Sequence, residues 1–239
     1  MSTVVVLAKV PAPGRVKTRL CPPCTPEQAA RVAAAALADT IDAVAASVAT
    51  ERILLTDVPC APPPGWANRL QRGGPLAERL ANAFADTGAA LLVGMDTPQL
   101  TAGLVDAALT SLDGSDAALG PAEDGGWWAL GLRDPGHARV LRDIPTSTAT
   151  TGSRTLEALL ARGLRVAGLP RLRDVDPAPD AHAVAALCPP GRRFPAAVAD
   201  AVAPDAVAPD AVVADAVVAD AVVADAVVTG AVVAREVAR

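Results

Sequence analysis

The sequence predicts an α/β protein built on a mostly parallel central sheet with helices on both faces. Three observations predict it. Short apolar runs lose the alternation of a half-exposed strand, as expected of strands covered on both faces. The segments between them carry apolar residues at helical spacing. Loops rich in glycine and proline separate the two kinds of segment, so strands alternate with helices along the chain.

Thr3 to Ala8 (TVVVLA) reads as the first buried strand. The loop from Lys9 to Arg19 leads to a helix opened by Thr25-Pro26-Glu27-Gln28. Thr25 suits the N-cap, Pro26 the first helical position, and Gln28 completes a capping box. Leu37, Ile41, Val44 and Val48 then recur on one face. Arg52 to Thr56 is the second strand, and Asn68 to Gln71 a short third. Leu76 to Asp86 is a helix with Leu76, Leu80, Ala83 and Phe84 on one face, ended by Gly88. Leu91 to Gly94 forms a central strand, followed by a helix from Thr101 to Leu112. Asp116 to Gly120 and Trp127 to Leu132 are strands joined by a turn, and Gly125-Gly126 hints that one of them runs antiparallel. His137 to Asp143 and Leu156 to Ala161 read as helical, Leu164 to Leu169 as a late strand, and Pro179 to Leu187 as a last helix.

The chain of 239 residues is long enough for one α/β domain of ordinary size. A net charge of −5 argues against a nucleic-acid binder, and three tryptophans with two phenylalanines offer little base-stacking surface. Val4 to Ala8 is too short for a secretory leader, and charges interrupt every long apolar run, so no membrane span is expected. The expectation is a cytoplasmic protein with reduced cysteines. Cys21-Pro-Pro-Cys24 is a single CxxC, read as a surface loop because Cys60 and Cys188 form no second pair.

After about Phe194 the composition changes to a five-residue repeat, AVAPD twice, AVVAD three times, then AVVTG and AVVAR. A step of five turns roughly 140° on a helix, so no apolar face forms. Residues 195–239 are therefore assigned to a low-complexity tail, separate from a domain of residues 1–194.

Two stretches carry chemistry. Val93-Gly94-Met95-Asp96-Thr97-Pro98 ends an apolar strand on a carboxylate, and in open α/β sheets ligands bind beyond such strand ends. A carboxylate there suits a divalent cation against a phosphate; the plainer reading is a helix-capping Asp. The loop after the first strand carries Lys9, Arg15, Lys17 and Arg19, with Gly14 for close backbone approach and Pro11 and Pro13 for stiffness. Arg15, Lys17 and Arg19 alternate, so an extended segment would aim all three at one point, matching a diphosphate. The loop is neither a GxGxxG nor a Walker sequence.

The motifs AKVPAPGRVKTRL (8–20), GGPLAERLANAF (73–84), VGMDTPQL (93–100), LGPAEDGGWWALGL (119–132) and RDVDPAPD (173–180) occur in that order. They resemble a family called radical-SAM/selenodomain-associated transferase 1, which is similar to GT-A glycosyltransferases within the nucleotide-diphospho-sugar transferase superfamily. The resemblance spans about residues 3 to 194. It implies a Rossmann-like GT-A fold and a metal-dependent glycosyltransferase using a nucleotide-activated sugar. The substrate-binding residues it implies are Ala8, Lys9, Gly14, Arg15, Lys17, Arg19, Gln71, Gly74, Asp96, Gly125 and Gly126. Asp96 would be the metal-binding aspartate for Mg²⁺ or Mn²⁺, with Asp176 or Asp174 offering a second carboxylate. Asp124 would be the catalytic base. Departures from the family pattern are Pro75 and Ala77 in a GDLGER-like stretch, Thr146 in place of a tryptophan, and Pro177 in a DVDTP-like motif.

The residues leave two other functions open. One is a nucleotidyltransferase that takes a nucleoside triphosphate and releases pyrophosphate; the other is a non-catalytic nucleotide-binding protein. Asp124 beside Glu123 can equally be a turn-forming residue. Trp127 and Trp128 read as core, and His137 and His182 as surface residues. Ser147-Thr148 has no histidine near it in sequence, so a serine hydrolase triad is not supported.

Overall fold

Alternate side chains of strand β1 (Thr3–Ala8) divide the interior in two: Val4, Val6 and Ala8 point into one core, Val5 and Leu7 into the other. The structure is a computed structural model that describes residues 2–175 and 178–202. All of them lie within the unit Met1–Ala208.

Seven strands form one sheet in the order β3-β2-β1-β4-β6-β5-β7. The others are β2 (Glu51–Thr56), β3 (Ala67–Leu70), β4 (Ala90–Gly94), β5 (Ala117–Pro121), β6 (Trp127–Leu132) and β7 (Val166–Gly168). All neighbours pair parallel except β6, which runs antiparallel to both β4 and β5. That is the antiparallel strand hinted at by Gly125-Gly126. The fold is thus the mixed, mostly parallel α/β Rossmann-like arrangement that the sequence predicts.

On the first face lie α1 (Pro26–Ala45) and α3 (Ala102–Gly114), packing Ala33, Val44, Val105 and Ala108 against β1 and β4. The predicted capping box is present: Gln28 N–H donates to Thr25 Oγ1 and Thr25 N–H to Gln28 Oε1, a cap worth about 1 kcal/mol. On the second face, α2 (Leu76–Thr87), a 3₁₀ segment (Pro135–Asp143) and α4 (Thr151–Leu160) bury Leu80, Phe84, Leu141 and Leu159. Gly88 ends α2 at φ +82, as its position predicts.

A third cluster lies outside α1, where α5 (Ala178–Leu187) and α6 (Arg193–Ala201) pack. Phe194, Val198, Ala201 and Val202 are buried there. Composition places the change of character after Phe194; the packed core continues through Val202. The repeats beyond Val202 lie outside the described residues. Cys24 belongs to this cluster, with its thiol toward the Ala201 carbonyl, so the CxxC is not the surface loop expected. Burial and then Cys21 push the Cys24 thiol above its ordinary range, and burial raises that of Cys188 to about 11. Neither is a reactive thiolate.

Candidate active site

The parallel strands end together. Ala8 stands opposite Thr56, Thr56 opposite Leu70, and Leu7 opposite Gly94. The residues that follow, Lys9, Asp57, Gln71 and Asp96, therefore leave the sheet at one edge. Between β1 and β4 the strand order reverses, the place where open sheets form a crevice. A cavity of about 550 Å³ opens there. Ala8, Lys9, Arg15, Lys17, Arg19, Gln71, Asp96, Asp124 and Gly126 line it, as do Asp174 and the segment Thr146 to Thr148. Gly14, Gly74 and Gly125 are not in its wall.

The basic loop reaches this cavity by a different route from the one its spacing predicts. It is not extended: Lys17 is left-handed at φ 49, and Thr18–Leu20 form a 3₁₀ turn. The cause is Val16, buried in the core of the first face, which sends its neighbours in different directions. Arg15 turns outward, and its Nη2 lies 2.9 Å from Asp57 Oδ2. Asp57 also accepts from the Val10 N–H at 2.8 Å, so it ties the loop to the end of β2. Lys17 turns inward. Its ammonium lies 3.0 Å from Asp96 Oδ1 and donates to the Val175 carbonyl, with only 7% of the side chain exposed. Loop and mid-chain aspartate thus converge, with Lys17 as the loop cation seen in contact with Asp96.

Asp96 follows β4 by two residues, on a loop where the Leu100 N–H bonds to the Thr97 carbonyl. Its main-chain carbonyl accepts from the Val175 N–H. Asp174, half-buried, has its carboxyl pushed above the ordinary range, first by burial and then by the negative charge of Asp124; backbone N–H groups and Lys17 partly oppose this. Lys17, Asp96, Asp124 and Asp174 therefore form one electrostatic group. Among the described residues no three His, Cys, Asp or Glu side chains form a metal cage. What the group fits is a Mg²⁺- or Mn²⁺-type ion held by one or two carboxylates, with phosphate and water completing the shell. The Thr97 hydroxyl beside Asp96 is buried without a partner among the described residues, an acceptor and donor left over at this site. Asp176 lies outside the described residues.

The opposite wall is a hairpin tip and a helix start. Asp124 Oδ1 accepts from the Gly126 N–H at 2.7 Å, so this aspartate does form the turn, and it also borders the cavity. Glu123 points elsewhere, to Arg173 at 2.8 Å. Gly125 is at φ +86, and a Cβ there would lie 2.0 Å from the Ala149 carbonyl oxygen. Its own carbonyl accepts from the Gly152 N–H at 2.7 Å. Gly125 thus permits close approach of two backbones, and that contact brings Thr146, Ser147, Thr148 and Thr151 to the cavity. Trp128 is core, its Nε1 donating to the Pro170 carbonyl, whereas Trp127 is partly exposed in the wall.

Gln71 is already occupied by protein. Its Nε2 donates to the Ala8 and Leu55 carbonyls, and its Oε1 accepts from Arg79. Gly74 N–H is held by Glu78 at 2.9 Å. His137 is partly exposed, 3.8 Å from Asp134. His182 differs from expectation, since its Nε2 is buried without a partner among the described residues. Sequence reasoning missed Asp57, Arg79 and the hydroxyl segment from Thr146 to Thr151. Only the placement of Asp57 directly after β2 could have marked it.

No helix among the described residues is long and apolar enough to cross a membrane. No curated protein matches the sequence. The chain resembles a crystal structure from Desulfovibrio desulfuricans G20 whose name proposes a nucleotide-diphospho-sugar transferase: 29% identity over 74% of this chain and 84% of that one, TM-score 0.67. Weaker likenesses include Rv0371c of Mycobacterium tuberculosis H37Rv in complex with manganese, at 19% identity over 76% and 96% of the two chains, TM-score 0.44. A nucleotidyl transferase from Methanothermobacter thermautotroptrophicus is 16% identical over 76% and 90%, TM-score 0.45. A family profile matches residues 28–148, half of the chain and most of the strands that frame the cavity. The chain belongs to the family described as "Uncharacterized protein conserved in bacteria (DUF2064)".

Proposed function

We propose that the protein is a metal-dependent glycosyltransferase that uses a nucleotide-activated sugar. The observation that carries this reading is the meeting of Lys17 with Asp96 at 3.0 Å in the crevice between β1 and β4. A cation from the first loop and a carboxylate from the central strand share one pocket, as a diphosphate with its metal requires. The name of the Desulfovibrio structure points the same way. The motifs of residues 8–20, 73–84, 93–100 and 119–132 support the narrower placement among the radical-SAM/selenodomain-associated transferases 1.

In this reading Lys17, with Arg15 and Arg19 at the rim, takes up the negative charge that grows on the departing nucleoside diphosphate. Asp96 holds Mg²⁺ or Mn²⁺, and Asp174 or Asp176 adds a second carboxylate. The ion, when bound, supplies further charge neutralisation to the leaving group. Asp124 orients the acceptor hydroxyl and receives its proton. Gly126 and the hydroxyls of Thr146 to Thr148 shape the acceptor side. The domain carrying this chemistry is the one that composition ends at residue 194, extended here through α6 to Val202, and the repeats beyond it are given no part in the reaction.

The test is product analysis. With Mn²⁺ present, the protein is incubated with a panel of nucleoside diphosphate sugars and, separately, of nucleoside triphosphates. Release of nucleoside diphosphate from a sugar nucleotide is the expected result. Pyrophosphate from a triphosphate would make the protein a nucleotidyltransferase instead. Tight nucleotide binding without turnover, indifferent to metal and to Asp96→Ala, would make it a non-catalytic binder.

A further inference from the structure

Arg79 is a cavity-lining cation whose surroundings among the described residues do not account for it. It sits in the first turns of α2 and borders the same cavity. Its Nη1 donates to Gln71 Oε1 at 2.8 Å, and its Nε is buried with no hydrogen-bond partner among the described residues. Among the described residues no carboxylate pairs with it, whereas Arg15, Arg72, Arg142, Arg165, Arg173 and Arg193 each lie within 4.0 Å of one. A partly buried guanidinium left with one neutral partner is costly. The fold nevertheless holds it in place. Gln71 is fastened by its Nε2 to the Ala8 and Leu55 carbonyls, which turns its oxygen toward Arg79. Leu76 and Leu80, on the same helix, and Trp127 give the cavity apolar wall, where a charge interacts more strongly than in water.

Arg79 also stands apart from the basic loop. Val16, which positions Lys17, packs in the core of the first face; Leu80, which follows Arg79, packs in that of the second. The two cations approach the crevice from opposite faces of the sheet.

We infer that Arg79 anchors a second oxyanion subsite, which takes a carboxylate or phosphate group on the co-substrate rather than the diphosphate of the nucleotide. The inference rests on the proposed transferase reading for the word co-substrate, but the subsite itself is testable without it. Gln71 is its positioning residue. Apolar surface beside the subsite and hydroxyls of Thr146 to Thr148 in the same cavity suit an organic acid or a phosphorylated polyol more than a bare ion.

Glycerol 3-phosphate and glycerate serve as probes, with glycerol as the neutral control. Each is titrated calorimetrically into the protein, first alone and then saturated with whichever nucleoside diphosphate it binds. One of the two anions is expected to bind in both states, and glycerol in neither; which anion binds tells phosphate from carboxylate. Arg79→Gln is expected to weaken that anion about tenfold or more and to leave nucleotide affinity within about twofold, while Lys17→Gln weakens nucleotide alone. Arg79→Lys, which keeps the charge but not the fork, should fall between, and it carries the test if Arg79→Gln does not fold. Anion binding that Arg79 variants leave unchanged would overturn the inference. So would loss of nucleotide affinity in Arg79→Gln, since Arg79 would then belong to the nucleotide. Failure of the protein to bind any nucleotide overturns the transferase reading but leaves the anion titration of the free protein to decide the subsite.

Discussion

Two acid–base pairs in this molecule join residues far apart in sequence, and they are built differently. Asp39, on α1, is 1% exposed. Its Oδ1 accepts from the Arg193 N–H at 3.0 Å and its Oδ2 from the Phe194 N–H at 2.8 Å, with the Arg193 guanidinium 3.5 Å away. Arg192 completes the joint by donating to the Asp39 and Leu100 carbonyls. Every contact fastens α6 to the rest of the protein. Asp96 meets Lys17 through one oxygen, and nearly half of its side chain is open to the cavity. The first carboxylate has its capacity filled by backbone donors and is structural. The second keeps capacity that no contact among the described residues fills. Saturation of a carboxylate, rather than the presence of a nearby cation, separates a brace from a candidate ligand site.

Four substitutions sharpen or break that contrast. The largest effect is expected of Asp39→Ala, which leaves the first turn of α6 without its acceptor and should cost about 3–5 kcal/mol, measured by urea unfolding. A loss comparable to that of an exposed pair would erase the contrast. Asp96→Asn should cost less, because the half-exposed carboxylate is replaced by an amide oxygen that still accepts from the Lys17 ammonium, which also keeps the Val175 carbonyl. Under the proposed function it lowers transfer with Mn²⁺ by about 10²–10³-fold in initial rate. Gly125→Ala forces a side chain against the Ala149 carbonyl at a φ of +86. A strain of about 1–3 kcal/mol is expected, read as a lower Tm that Gly126→Ala, at ordinary φ, does not match.

Asp174→Asn should have the smallest effect and the opposite sign. Burial and Asp124 raise the Asp174 carboxyl in the folded protein, so the folded state holds this proton more tightly than the unfolded chain. Stability from this group is fullest below the unfolded aspartate range and falls as pH rises through the folded pKa. The substitution should therefore raise Tm at pH 7 and lose that advantage toward pH 3, followed by thermal melts across the range. A Tm gain that does not depend on pH would show that the carboxylate is not strained by its neighbours.

The sequence is informative wherever local chemistry decides. The six residues of β1, the capping box at Thr25, the stop at Gly88 and the boundaries of β6 are all legible because period, cap and breaker residues act within a few positions. The shared location of Lys17 and Asp96 follows from strand ends in a parallel sheet. The direction of each loop cation is not legible, because it is set by Val16 entering a core made of residues distant in sequence. Arg79 escapes for a similar reason. On a helix surface it looks like any solvated arginine, and what shows that it is held is Gln71, fixed on the Ala8 and Leu55 carbonyls of the two strands beyond its own. Helix α6 is hidden differently: Ala-Val composition reads as repeat, and the signals that fix the helix are Phe194 and a carboxylate on α1.

Val175 is the feature with the longest reach. Its N–H bonds to the Asp96 carbonyl, and its own carbonyl receives the Lys17 ammonium, so three segments of the chain are clasped at one residue. During synthesis the basic loop emerges first and Asp96 well after it, yet neither has its clasp until the ribosome has passed Val175. A nascent or prematurely terminated chain ending before that point carries the charged groups of the crevice without the backbone that registers them against each other.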